Sequence, residues 1–184
     1  MINEIFKDMK ERMDKAVLHY KAELVTIRTG RANPGMLDSI KVDYYGVMSP
    51  LNNLAHVSVP EPQLIVIQPF DPSTLEAIEK AIVGADIGLN PNNDGNVIRL
   101  SVPTLTEERR VELVKSVHKI VEDGRVAIRN IRRDSNNALK ELEKSNELSE
   151  DNLKRALDNV QESTDGHIKI FNDMQDNKEK EIME

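Results

Sequence analysis

Four arginines, Arg125, Arg129, Arg132 and Arg133, fall at i, i+4, i+7 and i+8 in a stretch without proline. On an α-helix this spacing gathers them into an arc of about 100° that flanks the apolar stripe and faces water. Like charges one turn apart cost an isolated helix about 0.2–0.5 kcal/mol per pair. Glu122 offsets only part of that. The guanidinium fork suits bidentate contacts to phosphate, and Arg28 and Arg31 add two more such groups. The chain as a whole has a formal net charge of −7, so bulk electrostatics give no pull toward nucleic acid. A focused basic row on an acidic chain is one of two things. It is a solvated helix face, or it grips a phosphate backbone at one place while the acidic remainder suppresses indiscriminate binding. For the second, RNA is the natural ligand.

Other chemistries lack their residues. There is no cysteine, so thiol nucleophiles, Cys-based zinc sites and disulfides are excluded, and a reducing cytoplasm is the expected compartment. His19, His56, His118 and His167 are scattered, with no HExxH and no partner at ligand spacing, so neither a metal nor a cofactor is expected. His118 falls off the core stripe and reads as solvated, whereas His167 reads as a packing residue. No glycine-rich loop opens a helix after a strand, and no GxSxG motif occurs. The segment 90–96 has oxygen ligands and a glycine but lacks the terminal glutamate of a calcium loop, so turn chemistry explains it. No catalytic residue emerges, and the chain is not expected to be an enzyme. Met9 and Met13 lie on a helical stripe and read as core. Tyr44 and Tyr45 point to opposite faces of a strand, which leaves at most one as a stacking platform.

The elements that position the basic row follow from the breakers. All 8 prolines lie between residues 34 and 103, and aromatics make up only 3% of the chain against 31% charged residues. That composition disfavours an all-β core and fits long helices around a turn-rich insert. The first helix is expected over 2–28, with Phe6, Met9, Met13, Ala16, Tyr20, Leu24 and Ile27 on its stripe. A second helix, capped by Thr106, carries Val117, Val121, Gly124, Ile128, Ile131, Ser135, Ala138 and Leu142. A third, capped by Ser149, carries Leu153, Leu157, Val160, Thr164, His167, Phe171 and Met174. Between them, period-two segments at 40–45, 55–59 and 98–102, an apolar run at 64–67 and a capping box at 73–76 opening a helix that stops at Gly84 describe a small α/β unit. The fold class is α+β. Residues 1–29 and 104–184 form an elongated three-helix bundle, and 30–103 form the inserted domain. Hinges are expected near 29–31 and 103–105, at Thr29, Gly30, Arg31, Pro103, Thr104 and Leu105, with relative rotation about them. No apolar run can span a bilayer, and the start lacks the basic-then-apolar plan of a signal peptide.

Several segments together resemble the bacterial ribosome recycling factors. They are Ile27-Arg28-Thr29-Gly30-Arg31-Ala32-Asn33-Pro34, Tyr44-Tyr45-Gly46, Leu89-Asn90-Pro91-Asn92, Leu105-Thr106-Glu107-Glu108-Arg109-Arg110, and the run Arg125 to Asp134. The resemblance implies a two-domain L of roughly transfer-RNA outline that acts as a monomer and without a membrane. It implies binding to the large ribosomal subunit after termination. With elongation factor G and its GTP hydrolysis, such a factor separates the subunits and frees messenger and transfer RNA. It also implies contacts to ribosomal RNA at Arg28, Arg31, Arg129 and Arg132, extended by Arg125 and Arg133 and, further off, by Arg109 and Arg110. Met48 departs from the family, whose members often carry proline there. The competing class is a helical protein-interaction adaptor whose arginines only keep the rod soluble.

Overall fold

A computed structural model describes residues 1–184. In chain order its elements are α1 (Ile2–Val25), a 3-10 turn (Pro34–Leu37), β1 (Lys41–Tyr44), β2 (Val47–Pro50), α2 (Leu51–Leu54), β3 (Ala55–Glu61) and β4 (Leu64–Pro69). There follow a second 3-10 turn (Pro72–Thr74), α3 (Leu75–Gly84), β5 (Pro91–Asn93), β6 (Ile98–Ser101), α4 (Glu107–Lys144) and α5 (Glu150–Met183). Two compact units result, Met1–Thr29 with Glu107–Glu184, and Gly30–Thr106.

In the helical unit, α1 stops at Val25, short of the expected Arg28. The run Val25-Thr26-Ile27 is β-branched throughout, and the Thr26 hydroxyl donates to the Glu23 carbonyl at 2.6 Å, which competes with continued helix. The 38 residues of α4 make a rod of about 57 Å. Its buried face is Leu113, Val117, Val121, Gly124, Ile128, Ile131, Ser135 and Leu139. The expected stripe ends instead on Ala138 and Leu142, which are half-buried. A strict heptad row slips by about 20° per repeat on a straight helix, so by the fourth repeat Leu139 has rotated into the buried slot. Ala138 and Leu142 then line a groove with Ile5 of α1. The third helix matches its expected stripe at Val160, Thr164, His167 and Phe171, and the Ser149 side chain accepts from the Asn152 amide at 3.3 Å.

The three helices are tied by size and charge. Phe171 is fully buried, an added Cβ at Gly124 would overlap its ring, and Tyr20 meets it edge to face at 6.0 Å. Arg12 of α1 donates to Asp134 of α4 at 2.8 Å, an interaction that raises the guanidinium pKa. His167 places Nε2 2.9 Å from Asp14 of α1 and Nδ1 2.7 Å from the Ser163 carbonyl, so it is a satisfied core histidine. His118 is half exposed and contacts Glu179.

In the second unit β3, β4, β6 and β5 form one antiparallel sheet in that order, and β1 pairs β2 in a separate hairpin. Ile65, Ile67, Ile98 and Leu100 from the sheet and Ile78 and Ile82 from α3 make one core with Val42 and Leu51. Three details differ from the sequence reading. The capping box is absent, since α3 starts after Thr74 without a side-chain cap, and Asp71 instead caps the preceding 3-10 turn: its carboxylate accepts from the Ser73 amide at 3.0 Å and the Ser73 hydroxyl at 2.8 Å, which holds its pKa below the usual range. Tyr45 lies in the hairpin turn, outside the strand, with φ +49° next to Gly46 at +85°. The left-handed pair matches the strand twist, and Tyr45 is exposed beside Tyr44. Residues 91–93 are paired as β5, so the expected turn shrinks to residues 94–97, bent at Gly95 and Asn96.

Both ends of this unit lie on the same turn. The Ala32 amide donates to the Pro62 carbonyl at 2.7 Å and the Val102 amide to the Gln63 carbonyl at 2.8 Å. Gly30 has φ +77°, and a Cβ there would stand 2.8 Å from Leu105 Cγ. Glycine is required at that position both by conformation and by the side-by-side approach of the two crossings.

Candidate nucleic-acid interface

The arginine row on α4 does not behave as one surface. Arg125, expected to face water, is only 21% exposed. It is drawn onto α5, donating to Asn172 Oδ1 at 2.6 and 3.1 Å and to Gln175 Oε1 at 3.1 Å, and it also reaches Glu122 at 3.3 Å. Spacing on α4 places it beside the core stripe, and α5 happens to pack on that side. It is a packing cation that bridges two helices.

Arg129 lies one turn on and further from the seam. Its only acceptor is Glu122, at 2.5 Å. The Glu122 carboxyl is held below its usual pKa, first by the Arg129 hydrogen bond and then by that of Arg125. Arg132 touches the neutral Gln161 amide at 3.3 Å. Arg133 is exposed and makes no hydrogen bond or ion pair within the chain. With Lys140, the guanidinium groups of Arg129, Arg132 and Arg133 line a shallow depression of about 330 Å³ that contains no carboxylate. Lys140 is the member that the arginine spacing misses. A signal for it exists, since Arg129, Arg133 and Lys140 continue one face at i, i+4 and i+11.

The remaining sequence candidates stand apart. Arg28 and Arg31 are exposed on either side of Gly30, one in each unit. Since α1 runs antiparallel to α4, with Arg12 beside Asp134, Arg28 lies toward the start of α4, away from the row. Arg110 donates to the Met183 carbonyl at 2.9 Å and Arg109 pairs with Glu112 at 2.9 Å, so both have partners inside the helical unit. No group of three or more His, Cys, Asp or Glu side chains is arranged to hold a metal ion, and no helix is long and apolar enough to cross a membrane.

Fold and face together define a two-unit α+β protein, a three-helix unit interrupted by a small sheet unit, with unneutralised cations on the middle helix. The chain belongs to the ribosome recycling factor family, whose profile matches residues 20–183. It is 54% identical over 184 residues to the ribosome-recycling factor of Syntrophomonas wolfei subsp. wolfei, covering 100% of both chains. It is similar to a solution structure of a ribosome recycling factor, with TM-score 0.79 and 47% identity over 99% of this chain and 97% of that one. It is also similar to the Thermus thermophilus ribosome recycling factor bound, with Escherichia coli elongation factor G, to the Escherichia coli post-termination complex, with TM-score 0.66 and 44% identity over 100% of each chain.

Proposed function

We propose that this chain recycles ribosomes after termination. It binds the large subunit through ribosomal RNA contacts of Arg129, Arg132 and Arg133, with Arg28 and Arg31 at the crossing between units. With elongation factor G and GTP it separates the subunits and releases messenger and transfer RNA. The observation that carries the reading is the depression on α4 lined by Arg129, Arg132, Arg133 and Lys140 with no carboxylate on its wall, in a chain that matches the family from end to end. The mechanism is mechanical. Cations on a long rigid helix displace counterions from phosphates, which anchors the helical unit. The partner's GTP hydrolysis then moves the sheet unit about the crossings at 29–31 and 103–105. The chain itself catalyses nothing, and it works as a monomer in the cytoplasm.

The test is a subunit-splitting assay on post-termination ribosomes with and without elongation factor G and GTP. Splitting that needs this chain as well as both additions is expected, and splitting at the same rate without the chain contradicts the reading. Gly30→Ala forces a left-handed alanine against Leu105. It is expected to keep ribosome binding within about twofold while splitting slows several-fold, as for a hinge restricted at one point. Equal splitting by wild type and variant removes the moving-unit mechanism.

Glu122 is the carboxylate that competes with RNA for Arg129. Its depressed pKa means that its ion pairs are fully present above the usual carboxylate range and are lost as pH falls through the lowered folded-state value. Glu122→Gln is expected to imitate the acid form at neutral pH. Binding to large subunits tightens by about two- to fivefold, because Arg129 no longer has to leave an internal partner. Weaker binding by the variant would show that Glu122 orients Arg129 for the contact.

A further inference from the structure

α5 is acidic, yet it shows the arginine row of α4 a neutral edge. It carries nine carboxylates against five cations, and none of the nine pairs with Arg125, Arg129, Arg132 or Arg133. Every acceptor that α5 offers the row is an amide oxygen, Gln161 for Arg132, and Asn172 and Gln175 for Arg125. An amide oxygen holds a guanidinium and leaves its charge intact, whereas a carboxylate of the same reach would hold it and cancel it. Glu122, on α4 itself, has the second effect on Arg129.

Gln161 stands out among these amides because Arg132 is half-buried and, unlike Arg125, has no other partner in the chain. Its direction is fixed from behind. Gln161 Nε2 donates to Asp165 Oδ1 at 2.8 Å, one turn further along α5. An ionised carboxylate has no proton to give, so the amide nitrogen must face Asp165 and the oxygen must face Arg132. One N–H of the guanidinium is engaged in this way, and the rest of its fork stays open to a phosphate. Resting on the reading of α4 as the ribosomal RNA contact, we infer that Gln161 is a positioning residue for that contact: locked by Asp165, it preorganises the Arg132 guanidinium for phosphate without neutralising it. A guanidinium already held gives up less rotamer freedom when the phosphate arrives.

Purified large ribosomal subunits are the probe, with the affinity of the full chain read across a salt series. Gln161→Ala is expected to bind about three- to tenfold more weakly at an unchanged salt slope, since the phosphate contacts are kept and only their preorganisation is lost. Gln161→Glu keeps an acceptor of the same reach but cancels the charge, so the slope is expected to shrink by about 0.7–0.9. In an Arg132→Ala background, Gln161→Ala is expected to change the affinity by less than about 1.5-fold, because a positioning residue acts only through the group it positions. Gln161 is exposed and alanine is the better helix former, so the thermal midpoint of Gln161→Ala is expected to stay at the wild-type value. A Gln161→Ala loss that survives without Arg132 would make Gln161 an RNA contact in its own right, and no loss in the presence of Arg132 would make the bond idle. Either result overturns the inference while leaving the RNA anchor intact. Absence of any salt-dependent binding by wild type overturns the anchor itself.

Discussion

Gly124→Leu is expected to destabilise the helical unit by about 3 kcal/mol or more, an upper-range overpacking penalty, which for a chain of this size lowers the thermal midpoint by about 6–12 °C. Helix propensity argues the other way by about 1 kcal/mol, since glycine is the poorer helix former, so the sign of the result decides between two effects. Geometry favours the penalty. A Cβ at Gly124 overlaps the ring of Phe171, which is fully buried and backed by Tyr20. Phe171→Ala alone is expected to cost about 3–5 kcal/mol through the cavity it leaves. Combined, the two changes are expected to destabilise by less than their sum, because leucine at 124 enters space that the missing ring vacates. Thermal unfolding followed by circular dichroism on all four chains closes the cycle, and strict additivity would mean that the two positions do not meet.

Arg132→Ala/Arg133→Ala is expected to weaken binding to large ribosomal subunits by about 10²–10³-fold, the loss of two charge-assisted contacts, while leaving the thermal midpoint nearly unchanged. Stability is spared because Arg133 has no partner in the chain and Arg132 only a neutral amide at 3.3 Å. Arg125→Ala is expected to show the reverse. It removes three hydrogen bonds to α5 and one to Glu122, so the midpoint falls while the affinity changes little. Equal affinity losses at Arg125 and Arg133 would return Arg125 to the RNA-facing row.

Periodicity and breakers carry the architecture. The confinement of proline to 34–103 separates the two units, the 3-4 alternation locates Gly124 and Phe171 on facing stripes, and His167 is legible as core. Family and fold class follow from short segments that one sequence displays in full, and the family profile and solved relatives agree with them. What is not legible depends on neighbours. Spacing along α4 fixes the azimuth of Arg125 relative to the stripe but does not say on which side α5 packs, so an arginine that bridges helices looks the same as one that faces water. The drift of a heptad row on a straight helix places Leu139, rather than Ala138, in the core. Ser73 does not cap α3 because Pro72 starts a 3-10 turn that contains Ser73, and Asp71, equally suitable by type, caps that turn instead.

Anchoring by a few cations of α4 on a phosphate backbone underlies everything proposed for this chain, and a salt titration of binding to purified large subunits tests it most directly. Contacts from Arg129, Arg132, Arg133 and Lys140, with Arg28 and Arg31, predict a slope of log affinity against log salt of about −4 to −5, falling to about −3 in Arg132→Ala/Arg133→Ala. A slope near zero in wild type, or one that the double substitution leaves unchanged, would contradict it.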